Sequence, residues 1–133
     1  MTINKYLTIS LILLALSIGS TPLASAQGQV GVEKRISLSR GKTKTIRGKT
    51  DSSTSYIYKM RAQKDQKLVA RVTSDGGVAT FSIVPPGTQI LENAAGVKEW
   101  SGMLPETGDY LIIVAVSSSG VDKISYTLEL TIR

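Results

Sequence analysis

Five cationic side chains fall within ten residues, at Arg40, Lys42, Lys44, Arg47 and Lys49, with no acid between them. Guanidinium and ammonium groups at that density bind anions through charge-assisted hydrogen bonds. The same lysines also suit an exposed sheet edge, where charge discourages pairing with another chain. Both readings stand. Gly48-Lys49-Thr50 matches the end of a phosphate loop, but Thr43 stands where the first glycine of that loop belongs. No apolar strand leads in and no helical pattern follows to offer backbone N–H groups, so nucleotide binding is excluded. The tract Arg40-Gly41-Lys42-Thr43 recurs as Arg47-Gly48-Lys49-Thr50, at an offset of seven that is too short for a repeat fold.

Other chemistry finds little to work with. The chain has no histidine and no cysteine, which removes Ser-His-Asp and Cys-His catalysis, histidine metal sites and disulfides. The carboxylates that could pair for glycosidic chemistry, Glu92 with Glu99 and Glu106 with Asp109, sit in turns where acids are solvated. Asp75 precedes two glycines but has no acidic neighbour at calcium-loop spacing. No catalytic residue, no metal and no cofactor is expected, and the chain does not read as an enzyme. Tyr56 and Tyr58 lie near the cations, as in single-strand nucleic-acid binders. Alternation places both with Met60 on a core face, however, and the N-terminus points to export, so nucleic acid is not expected as partner.

That N-terminus reads as an address. Lys5 precedes an apolar run from Leu7 to Ile18, and Ala24-Ser25-Ala26 is an A-x-A cleavage site, giving a mature start at Gln27. The run is short of the ~20 residues a membrane helix needs. The protein is expected to be secreted or periplasmic, with no membrane span after signal removal. Charge is uneven in the remainder: Lys34 to Arg71 holds twelve basic residues against Asp51 and Asp65, whereas three face seven acids from Val72 onward.

The elements that must position the cations are strands. Gln27 to Glu33 reads as a flexible leader and 34–133 as one domain. Ile36 and Leu38 alternate with serines as a first strand, and Thr43 to Lys49 reads as an edge strand. Tyr56 to Ala62, Leu68 to Val72 and Ala79 to Ile83 each alternate with a period of two. Asp75-Gly76-Gly77 is a hairpin signal, Gln89 to Leu91 a short strand, and Glu92 to Lys98 the loosest loop. Trp100 to Val116 organises the rest, as strand, tight turn and strand, with Pro105 and Gly108 shaping the turn. Leu111, Ile113 and Ala115 are as apolar as Tyr110, Ile112 and Val114, which predicts a strand buried on both faces. Ile124 to Ile132 closes the chain with the cleanest alternation. Eight or nine short strands and no helical period predict an all-β, antiparallel, jelly-roll-like sandwich.

Several of these residues fall into a known pattern. Tyr58, Ala62, Gln66 and Leu68, then Trp100, Gly102, Leu104, Pro105, Gly108 and Tyr110, then Tyr126, Thr127 and Leu128 resemble the bacterial pre-peptidase C-terminal domain. Pro86-Gly87 fits that family's mid-domain turn. The resemblance implies a jelly-roll-like sandwich without catalytic residues, an accessory module of secreted enzymes that sometimes stands alone. The architecture is also similar to that of the periplasmic inhibitors of goose-type lysozyme, whose connection before the last strand carries arginines. Here that connection is Ser117-Ser118-Ser119-Gly120-Val121-Asp122-Lys123, without arginine. The function expected is an exported, non-catalytic module that binds an envelope protein or anionic polymer, with lysozyme inhibition the alternative.

Overall fold

The computed structural model describes residues 30–87 and 89–133. The expected signal peptide and its cleavage site at Ala24-Ser25-Ala26 lie outside them. Eight strands are present among the described residues: β1 Val30–Arg35, β2 Thr43–Thr50, β3 Thr54–Ala62 and β4 Lys67–Ser74 come first. They are followed by β5 Ala79–Val84, β6 Glu99–Met103, β7 Gly108–Val116 and β8 Ile124–Ile132. One sheet has the order β1-β3-β7-β5 and the other β2-β8-β4-β6. Odd strands make one sheet and even strands the other, so every connection crosses between sheets. All pairs are antiparallel except β1 with β3, which is parallel.

The period of two explains the layers. Tyr58, Met60, Phe81, Ile83, Tyr110 and Ile112 of the first sheet meet Leu68, Val72, Tyr126, Leu128 and Leu130 of the second, all buried. Leu104 and Ala94 plug the core from connecting segments. The expected all-β, jelly-roll-like sandwich is the fold observed.

Several local expectations are corrected. Trp100 to Val116 is not a hairpin, because β6 pairs with β4 in one sheet while β7 pairs with β3 and β5 in the other. The turn is a corner between sheets. Buried Leu104 holds it: its N–H donates to the Gln66 carbonyl at 2.8 Å, and its carbonyl accepts from the Asp65 N–H at 2.8 Å. The Tyr110 hydroxyl donates to the Glu106 carbonyl at 2.6 Å and accepts from the Glu106 N–H at 3.0 Å. A tyrosine tying back to backbone just upstream is the corner device of other sandwiches. Gly108 has φ +152°, and a Cβ there would lie 2.7 Å from Pro86 Cγ, so both conformation and space require glycine.

Asp75–Gly77 likewise carries the chain from one sheet to the other rather than closing a hairpin. The leader expected up to Glu33 is strand from Val30 onward, because parallel pairing with β3 satisfies its backbone groups. Ile36 and Leu38 fall after that strand and pack on the core from an irregular connection. Gln89 to Leu91 is not a strand. The segment before β6 is pinned rather than loose: Phe81 and Val97 exchange backbone bonds of 2.8 and 2.9 Å, and Ile83 donates to Ala94 at 3.0 Å. It covers the open edge of β5. Strand β7 is central, yet Leu111, Ile113 and Ala115 are only half-buried because, among the described residues, no layer covers the outer face of its sheet.

Two buried hydroxyls cross the core. Tyr58 and Tyr126 Oη atoms lie 2.6 Å apart, one from each sheet. Burial pushes both phenols above the ordinary tyrosine value of 10.0, and does the same to Tyr110. Asp109 and Asp51 move the other way from their ordinary 3.8, lowered by hydrogen bonds from Arg35 and from Ser53 respectively. A raised tyrosine value contributes stability that is complete below pH ~10 and lost as pH rises through the folded value. A lowered aspartate contributes stability that is present above pH ~4 and lost as pH falls through the folded value. Stability should therefore hold a plateau between pH ~4 and ~10 and decline beyond each end. Chemical denaturation across pH checks this, and Tyr58→Phe with Tyr126→Phe should flatten the alkaline decline.

Candidate cationic surface

Among the described residues, strand β2 is the edge of its sheet, paired only with β8. Arg47 and Lys49 share the outer face with Thr43 and Thr45, whereas Lys44 falls on the opposite parity with Ile46 and Gly48. Arg40 and Lys42 lie in the connection that precedes the strand. All five cations are exposed, and none forms a side-chain hydrogen bond or ion pair among the described residues. That separates them from Arg35, Lys59 and Arg71, which pair with Asp109, Glu33 and Glu129 at 3.1, 3.9 and 3.7 Å.

The five do not converge on one hollow. Arg47 and Lys49 flank a shallow depression of about 310 Å³ floored by Gly48 and Tyr126. Lys42 and Lys44 border a smaller one of about 200 Å³ with Ser37 and Ser39. Arg40 turns to a groove of about 410 Å³ at the end of the sandwich, which it shares with Arg61. The repeated Arg-Gly-Lys-Thr tract thus has two structures, a turn in its first copy and edge strand in its second.

Gly48 is set by what lies beneath it. A Cβ at this position would stand 2.8 Å from Tyr126 Oη and 2.9 Å from Cζ. Tyr126 cannot yield easily, because its hydroxyl is held in the core by Tyr58. Gly48→Ala should therefore cost roughly 1–3 kcal/mol, as overpacking does. Thermal unfolding reads it directly, and a variant as stable as the parent would place Tyr126 elsewhere.

Other residues weighed as sites have structural partners. Tyr58 is buried, and Tyr56 packs partly buried with its ring centroid 6.1 Å from that of Tyr126. Trp100 is half-buried, and its indole N–H donates to the Glu92 carbonyl at 3.3 Å. Asp109 is held by Arg35 through bonds of 3.1 and 3.5 Å. No group of three or more metal-ligating side chains occurs among the described residues. No helix among them is long and apolar enough to cross a membrane. Arg61 escaped sequence reasoning, which saw only the polar face of β3. Its nearness to Arg40 arises from the crossing of chain segments between sheets.

No protein-family model matches the chain, and no curated protein sequence matches it. Solved structures do. The periplasmic inhibitor of g-type lysozyme PliG from Aeromonas hydrophila superposes with a TM-score of 0.64 at 20% identity, over 78% of this chain and 100% of the inhibitor. PliG from Salmonella Typhimurium gives 0.62 at 16% identity, over 78% and 100%. The pre-peptidase C-terminal domain of a Bacillus anthracis collagenase gives 0.52 at 16% identity, over 82% and 100%. At these identities the likeness is one of fold: the chain has the β-sandwich found in g-type lysozyme inhibitors and in pre-peptidase C-terminal domains.

Proposed function

We propose that the protein is an exported, non-catalytic β-sandwich module that binds a protein or anionic polymer of the cell envelope. The observation that carries this reading is the set of exposed cations at Arg40, Lys42, Lys44, Arg47 and Lys49, unpaired among the described residues. Cations without internal partners lose only water and counterions on meeting an anionic surface, so their charge is available for recognition. The likeness to small sandwiches named as periplasmic inhibitors supports a binding role and an envelope location. Capture from envelope extract tests the proposal: the protein should retain anionic material that elutes with salt. Retention of nothing, or of material indifferent to salt, would contradict it.

A second reading, inhibition of a g-type lysozyme, is favoured by the superposition across the whole of each inhibitor. The connection Ser117–Lys123 is exposed over most of its length, as an inserting loop would be. Its single cation, Lys123, would contribute little. An exposed ion pair is worth about 0.2–1 kcal/mol, whereas nanomolar affinity needs about 12 kcal/mol. A cell-wall turbidity assay should show little inhibition; stoichiometric inhibition would make this second reading the function.

A further inference from the structure

The groove beside Arg40 is built for more than generic charge. It opens where β3 ends and β7 begins, and Arg40, Arg61, Gln63, Gln66 and Thr107 line it above the carbon surface of Leu38 and Ile132. The Gly41 N–H donates to the Ile132 carbonyl at 2.7 Å, which ties the Arg40 segment to the end of β8. Thr107 Oγ1 accepts from the Lys64 N–H at 2.9 Å, joining the two turns that form the far wall. One wall is therefore tied by a backbone bond and the other through the Thr107 side chain.

What remains unspent on those walls is mostly donor. Thr107 uses its oxygen as acceptor and keeps its hydroxyl proton. Gln66 Oε1 accepts from the Gln63 N–H at 2.8 Å, leaving its amide nitrogen to donate. Neither guanidinium group has a hydrogen bond or ion pair among the described residues. Among the described residues no acid lines the groove. Asp109 stands opposite Arg61 across the β3–β7 ladder, where Arg35 binds it and the Arg61 charge helps to hold its carboxyl below the ordinary value.

Two guanidinium groups and neutral donors over a carbon floor suit a carboxylate carried on a small hydroxylated ring. The planar fork of arginine matches a carboxylate in a bidentate manner. Gln63, Gln66 and Thr107 would be left idle by an acidic side chain, whereas ring hydroxyls engage them. The volume lies at the small end of ligand pockets, enough for one such unit. We propose that this groove binds a carboxylate-bearing sugar unit of an anionic polysaccharide. The inference rests on the envelope-binding reading and narrows it to one polymer class and one place. That place is the opposite end of the sandwich from the Ser117–Lys123 connection, about 27 Å away along β7.

The test is a titration of the isotope-labelled protein with tetragalacturonate, followed by amide and arginine side-chain signals. Shifts should centre on Gly41, Gln63, Gln66 and Thr107 and on the Arg40 and Arg61 guanidinium groups. Arg40→Gln with Arg61→Gln should weaken binding about tenfold or more, with an unchanged melting temperature because both side chains are exposed. Neutral cellotetraose should shift nothing. Equal binding of hexaglutamate through the same residues would overturn the sugar assignment in favour of an acidic peptide. Shifts confined to Lys44–Lys49 would overturn the groove while leaving the envelope reading intact. Silence towards tetragalacturonate, in a protein that also retains no envelope material, would overturn both.

Discussion

Tyr110→Ala should abolish cooperative unfolding or lower the melting temperature more than any other single truncation outside the buried core of its neighbours. Tyr110 is fully buried and central to its sheet, and its hydroxyl closes the corner that passes the chain between layers. Truncating a buried aromatic costs about 3–5 kcal/mol, against roughly 5–15 kcal/mol for a whole domain. Tyr110→Phe removes only the hydroxyl, and the exposed Glu106 backbone can turn to water, so its cost should be about 1 kcal/mol. Trp100→Ala should fall between them at roughly 1–2 kcal/mol, since the indole is half-buried and leans across Gly102 at the sheet edge. Denaturant unfolding of the three variants gives the order. Trp100→Ala as damaging as Tyr110→Ala would mean that the corner is held by the indole rather than the phenol.

The difference between those two aromatics marks the limit of what the sequence disclosed. Alternation identified the inward faces of β3, β4, β5, β7 and β8, because a side chain's face depends only on its position in its own strand. Strand partners were another matter. Pro105 to Gly108 and Asp75 to Gly77 have the composition of tight turns, and composition alone reads the same whether a turn joins neighbours or crosses a sandwich. Trp100 accordingly sits half-buried in the edge strand β6, a place that its own strand's pattern does not specify. Strand β1 was missed because Val30-Gly31-Val32-Glu33 has little apolar pattern, its pairing partner lying more than twenty residues onward. The cationic cluster was legible from Arg40 to Lys49 because those residues are close in sequence. Arg61 was not, since only the fold brings it to Arg40.

Neutralising Arg40, Lys42, Lys44, Arg47 and Lys49 together with glutamine should abolish retention by anionic envelope material. The five supply almost a third of the chain's sixteen cations, and none supports the fold through a side-chain bond among the described residues. Binding should fall in the variant while stability changes little, surface substitutions of this kind lying within about 0.5 kcal/mol each. Of the five, Arg40 should matter most at its own site, because it is the one that shares a groove with a second arginine. A variant that loses stability in step with binding would instead assign these side chains to the fold.

Salt separates charge recognition from shape recognition. The distance over which exposed charges act shrinks from about 30 Å at 0.01 M to about 3 Å at 1 M ionic strength. Sedimentation of the protein with purified envelope polysaccharide, measured across that range, tests the central claim most directly. The protein should co-sediment at low ionic strength and be released progressively as salt rises, and the five-site variant should stay in solution throughout. Binding that is unaffected by salt and retained by the variant would contradict the claim.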